Sequence, residues 1–284
     1  MGGSSVVIAT VSLLAVASCS SDADAPAAMV PLCDGSSAMT LRIFYAGQSG
    51  REVLGSAVRI ENGFPSFVVD GKCNYFMAGG WLEDQQARDY GWRQGTLSDD
   101  LRRTLEAKAG AEDLPSAYAC SGSGALDAPP AIVANARSSV ICSSDANESV
   151  REIMSVIRQG ARELWAAGQP LAGDLRVTIR EASGAEPPQR YPWPSGLALS
   201  DYFEPDSSSL YFEPEGRSKR VAAADAVPLH ALREQYLRDT RPGVLYIGEG
   251  IPITHGETSA TMFMRDAVPY EDERGLLPLP EELQ

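Results

Sequence analysis

A chain of 284 residues with 44% hydrophobic side chains can bury one broad core or two packed lobes, and is too apolar to be disordered throughout. Its 38 Asp and Glu outnumber 24 Lys and Arg, for a formal net charge of −14, so its surface repels phosphate backbones and anionic lipid heads. No nucleic acid is expected as a partner, and electrostatic attraction cannot hold such a chain on a membrane.

In chain order, the first feature is Val6 to Ala17, an uncharged apolar run. It is shorter than the roughly 20 residues a helix needs to cross a bilayer and suits the apolar region of a signal peptide. The run ends in Val16-Ala17-Ser18-Cys19, a branched apolar residue, two small ones and a thiol. Small side chains let an extended chain enter a narrow cleavage site, and only a thiol can serve as the lipidated nucleophile. This stretch resembles the lipobox of bacterial lipoproteins, in which a peptidase cuts before the Cys, diacylglycerol is added to its thiol and the new amino group is acylated. The resemblance implies that residues 1–18 are a lipoprotein signal peptide and that Cys19 carries acyl chains such as palmitate. Two or three chains anchor stably where one holds only marginally. Ser20, standing where Asp would retain a lipoprotein at the inner membrane, implies the outer membrane, with the body facing periplasm or exterior. The alternatives are an ordinary cleavable signal and a buried strand. No Lys or Arg precedes the run, so the amino terminus supplies the positive charge unless the start codon lies upstream. N-myristoylation is excluded, because Met1-Gly2 is followed by Val6 where that pattern needs Ser or Thr.

Residues 19–32 open with a Ser, Asp, Ala and Pro-rich stretch that cannot build a core and reads as a flexible tether. Thr40–Ala46, Ser56–Ile60, Phe64–Val69 and Lys72–Met77 read as strands, with Asn62-Gly63 and Asp70-Gly71 as hairpin turns. Ser98 offers an N-cap to a short helix, Asp99 and Asp100 complement its dipole, Leu101 and Leu105 share a face, and Gly110 stops it. Ser121–Pro130 is loop-like and separates an N-terminal β-rich lobe, residues 33–120, from a C-terminal α+β lobe, residues 121–284. There Ala131–Cys142 reads as a strand, and Val150, Ile153, Ile157, Ala161 and Leu164 as one helix face that ends at Gly168 and Pro170. Leu175–Arg180 is a strand and Pro228–Asp239 a helix. Val244–Ile247, Ile251–Thr254 and Ser259–Arg265 are strands, the last two joined around His255-Gly256. Glu271–Gln284 is an acidic, Pro-rich wrap or frayed end. Hairpin groups separated by helices indicate an α+β fold, an antiparallel meander lobe with a short helix plus a second α+β lobe.

Apart from Cys19 the cysteines are Cys33, Cys73, Cys120 and Cys142. An even number in an exported chain reads as two disulfides; of three connectivities, Cys33–Cys73 with Cys120–Cys142 keeps each bridge within one lobe. Zinc has little support, since there is no CxxC and only two His exist. No metal or other cofactor is expected.

Chemistry-bearing motifs are sparse. His230 and His255 are the only imidazoles, with no GxSxG elbow or SxxK pair. His255 has Glu257 and Ser259 nearby on a turn, and His230 lies four residues before Glu234, an ordinary helical ion-pair spacing. The acids Glu204, Asp206, Glu213 and Glu215 crowd a Tyr-Phe-Glu-Pro repeat without calcium-loop spacing. The GxG at Gly248 lacks the rest of a dinucleotide fingerprint. No catalytic residue is assigned. Tyr191 and Trp193, on the Pro-held loop Tyr191-Pro192-Trp193-Pro194, are the binding candidates: exposed, they could stack on a sugar or seat in a partner, and packed inward they would pin the loop to the core. The stretches ENGFPSFVVDGKC and LWAAGQPL resemble uncharacterised lipoproteins of Gram-negative bacteria, a group that implies no activity. The expected function is a lipid-anchored envelope protein that binds or supports an envelope protein or glycan. The alternative is an envelope glycan or peptide hydrolase using paired carboxylates.

Overall fold

A computed structural model of the protein describes residues 29–45, 66–82, 91–114, 130–143, 148–181, 189–202, 218–239, 250–271 and 276. The first sheet comprises β1 (Met39–Tyr45), β2 (Ser66–Asp70), β3 (Asn74–Ala78), β4 (Trp92–Thr96), β5 (Pro130–Asn135), β6 (Ser139–Ser143) and β7 (Gln169–Pro170). Its order is β6-β5-β1-β2-β3-β4-β7, antiparallel at every join. Strand alternation splits the side chains between two faces. Leu41, Ile43, Phe67, Val69, Tyr75 and Met77 point to a core with α1 (Asp99–Ala109) and α2 (Glu148–Ala167), while Phe44, Val68, Phe76 and Trp92 point to a second core on the reverse face. The helices form as their sequences dictate: the Ser98 hydroxyl accepts from the Leu101 N–H at 3.3 Å, and α2 buries Val150, Ile153, Met154, Ile157 and Ala161 on one stripe.

The β2–β3 turn is where covalent and non-covalent constraints meet. Asp70 accepts from the N–H groups of Lys72 at 2.9 Å and Asn74 at 2.8 Å, which holds a three-residue turn with Cys73 at positive φ, +65°. Cys73 is bonded to Cys33 with the Cα atoms 5.0 Å apart. The Cys33 segment thereby lies across the turn, so closely that a Cβ on Gly71 would overlap the Asp34 carboxylate and the Ser36 hydroxyl.

The second sheet comprises β8 (Leu175–Glu181), β9 (Tyr191–Pro192), β10 (Lys219–Val221), β11 (Ile251–His255) and β12 (Thr258–Asp266), in the order β10-β8-β12-β11-β9. Only β9 with β11 is parallel. Leu175, Val177, Ile179, Met262 and Met264 pack under Ala226, Leu229, Leu232 and Tyr236 of α3 (Ala223–Asp239). Two mostly antiparallel sheets with three helices among the described residues make the α+β fold that the hairpin grouping indicates.

Three expectations are corrected, and one strand is added. The division between lobes does not fall at 120/121: β5 pairs with β1, and α2 covers the first sheet, so the first unit runs to Pro170. Composition marks 121–130 as loop, but a loop need not end a lobe when the next strand returns beside the first. Ala131–Cys142 is a hairpin, because Asn135 makes a turn that no Gly or Pro announces. Its side-chain oxygen accepts from the N–H groups of Arg137 and Ser138, and its amide donates to the carbonyls of Ala109, the last residue of α1, and of Ala111 just beyond it. Helix α3 starts at Ala223, upstream of Pro228, where the Asp174 carboxylate accepts from the Ala223 N–H at 2.9 Å. Strand β4, WRQGT, has no alternation to read and was not expected. The expected strands Ser56–Ile60 and Val244–Ile247 and the Asn62-Gly63 turn lie outside the described residues.

Candidate functional site

Ionisable groups concentrate where the two sheets meet. On β8 the residues Leu175, Val177 and Ile179 face α3, so Arg176 and Thr178 face the other way; on β12 Arg265 does the same. Register puts Arg176 directly opposite Arg265, and both are buried, at 2% and 1% exposure. Like charges so placed destabilise a sheet, and removing them from water costs several kcal/mol more each. Glu271 offsets this. Its carboxylate accepts from both Nη atoms of Arg265, lies 3.1 Å from Nε of Arg176, and accepts from the Val268 N–H at 3.1 Å. Arg265 also approaches the Trp92 ring, with Cζ 6.0 Å from the centroid.

The adjoining acid, Asp266, links the sheets. One oxygen accepts from the backbone N–H of Trp92 at 2.8 Å, and the other lies 3.3 Å from Nη1 of Arg233 on α3. The Trp92 carbonyl accepts from Leu171, and Asp174 accepts from Ala267. Beyond β12, Val268 and Leu276 pack on Phe44, Val68, Phe76 and Trp92 of the first sheet. Arg233 also meets Nδ1 of His230 at 3.1 Å. Burial, then the neighbouring Arg233 charge, hold the His230 imidazole below its usual range.

The sequence candidates fall elsewhere. Cys19 and Cys120 lie outside the described residues, as do Glu204, Asp206, Glu213 and Glu215. Cys33 and Cys73 are bonded to each other, and Cys142 is disulfide-bonded too. Tyr191 and Trp193 are corrected as binding residues: at 3% and 5% exposure they offer no ring face to a ligand. Trp193 donates from Nε1 to the Leu197 carbonyl at 2.8 Å and packs on Tyr202. Tyr191 stacks edge-on against Tyr236 and donates to Asp239 at 3.1 Å; burial, then that bond, push its hydroxyl up to about 12. Short strand β9, paired with β11, pulls both rings inward. His255, Glu257 and Ser259 are exposed at the tip of the β11–β12 hairpin. His230 pairs with Arg233 rather than with Glu234, which lies 3.7 Å from Arg238. Sequence reading missed the Arg176–Arg265–Glu271 cluster, because LRVTIRE looks like a strand with one solvated face and nothing local says that the tail covers it.

Among the described residues no three His, Cys, Asp or Glu side chains gather as a metal would need. Glu271 has both oxygens engaged by guanidinium and N–H donors, so it acts as a cross-link rather than a base. No protein-family model, no curated protein and no solved structure matches the chain.

Proposed function

We propose that the protein is a lipid-anchored component of a bacterial cell envelope. Residues 1–18 are its lipoprotein signal peptide, and Cys19 becomes the first residue and carries palmitate or similar acyl chains. Residues 19–32 form the tether, and the α+β body binds or supports another envelope protein or a glycan. Ser20 favours the outer membrane as its station, with the body in the periplasm or outside.

The observation that carries this reading is the state of the cysteines. Cys33 is joined to Cys73, and Cys142 is in a disulfide as well. Structural disulfides belong to oxidising compartments, which supports export. If Cys120 is the partner of Cys142, Cys19 is left as the one thiol for lipid, at the position where the lipobox resemblance requires it. No helix of the described residues is long and apolar enough to cross a membrane, so a lipid at Cys19 would supply the attachment. The binding role, rather than hydrolysis by paired acids, is supported by how the buried acids are spent. Asp70 holds a turn, Asp266 joins two sheets, and Glu271 neutralises two arginines.

The test is membrane fractionation of the full chain made in a Gram-negative host. The wild type should sediment with membranes and Cys19→Ala should appear in the soluble fraction. A Cys19→Ala protein that stays with the membranes would refute the anchor.

A further inference from the structure

The geometry points to His230 as an acid-sensitive latch between the two sheets: neutral, it holds Arg233 on Asp266, and protonated, it releases that grip.

Four groups form a continuous chain. His230 and Arg233 sit one turn apart on α3, and Nη2 of Arg233 is 3.1 Å from Nδ1 of His230. A guanidinium can only donate, so Nδ1 must be the lone-pair acceptor. That leaves Nε2 to carry the proton of the neutral ring. The Arg233 contact thus requires the neutral imidazole in one tautomer. On its other side Arg233 reaches Asp266, the last residue of β12, and Asp266 holds the N–H of Trp92, the first residue of β4 in the other sheet. The Arg233 and Asp266 side chains are nearly buried, at 12% and 4% exposure, so solvent screens their charges little.

Protonation changes the sign of one contact. An Nδ1–H cannot accept from Arg233, and it sets two cations against each other at hydrogen-bond distance. The charged groups facing the ring are Arg233 and Glu234 on α3 and Asp266 on β12. Glu234 is exposed and shared with Arg238, so it offsets the new charge only weakly. Arg233 is therefore expelled, and Asp266 loses its charged partner beside Trp92. The folded imidazole binds its proton less readily than the free one, whose ordinary value is 6.5. The contribution to the joint is therefore fully present above that pH and falls away as the pH drops below it.

Amide hydrogen exchange in the full chain, followed by NMR, tests this at the Trp92 N–H. Between about pH 7.5 and about pH 5 its protection factor in the wild type should fall about tenfold relative to the amides of β2. In His230→Gln, where position 230 stays uncharged, it should hold steady. Equal pH dependence in both proteins, or a Trp92 amide that merely follows β2, would overturn the latch. The ¹⁵N shifts of His230 in the unmutated protein are a second reading that needs no variant. A neutral Nε2–H ring near pH 7.5 is expected, and an Nδ1–H tautomer or an imidazolium at that pH would overturn it.

Discussion

Glu271 is one carboxylate set against two guanidiniums that the sheet register forces side by side. Its removal should cost far more than the loss of an exposed ion pair such as Arg103–Asp100, because Arg176 and Arg265 would remain buried and mutually repelling. Glu271→Ala should lower the unfolding free energy by about 3–5 kcal/mol, read from the urea midpoint; a loss below about 1 kcal/mol would mean that the arginines find other acceptors. Ser98→Ala, which deletes only the hydroxyl capping α1, should cost about 1 kcal/mol in the same assay. These two residues mark the range of what sequence reveals. Ser98 announces its role through the Asp99, Asp100 and Leu101 that directly follow it, whereas Glu271 lies in an acidic tail and takes its meaning from strands elsewhere in the chain.

At the scale of elements, α1, α2, the β2–β3 hairpin and the β11–β12 hairpin were legible because periodicity and turn residues are local signals. The β5–β6 turn and β4 were not. Asn135 makes its turn with a side chain also bonded to the Ala109 carbonyl that ends α1, and β4 owes its place to neighbours rather than to its own pattern. Gly95 shows the same dependence. A Cβ there would enter the ring of Tyr75, its cross-strand partner, whose hydroxyl donates to the Leu164 carbonyl of α2 at 2.6 Å. Valine is ordinarily favoured in strands, yet Gly95→Val should destabilise by about 1–3 kcal/mol through overpacking. A raised melting temperature for that variant would contradict the packing described.

Across the whole molecule, the hairpin grouping gave the α+β class, and the Cys33–Cys73 bridge emerged as expected from cysteine parity. The lobe boundary and the fate of Tyr191 and Trp193 did not, since both depend on pairings between distant strands. The bridge spans a sequence separation of 40, for which the chain-entropy model gives about 4 kcal/mol. Replacing Cys33 and Cys73 by Ser should therefore lower the urea midpoint strongly without changing the helix content of the folded state. The central claim concerns Cys19, and intact mass spectrometry of the protein purified from membranes of a Gram-negative host tests it most directly. The expected mass is that of residues 19–284 with two disulfides, a diacylglyceryl group on Cys19 and an acylated amino terminus. A mass that retains residues 1–18, or a chain without lipid on Cys19, would contradict it.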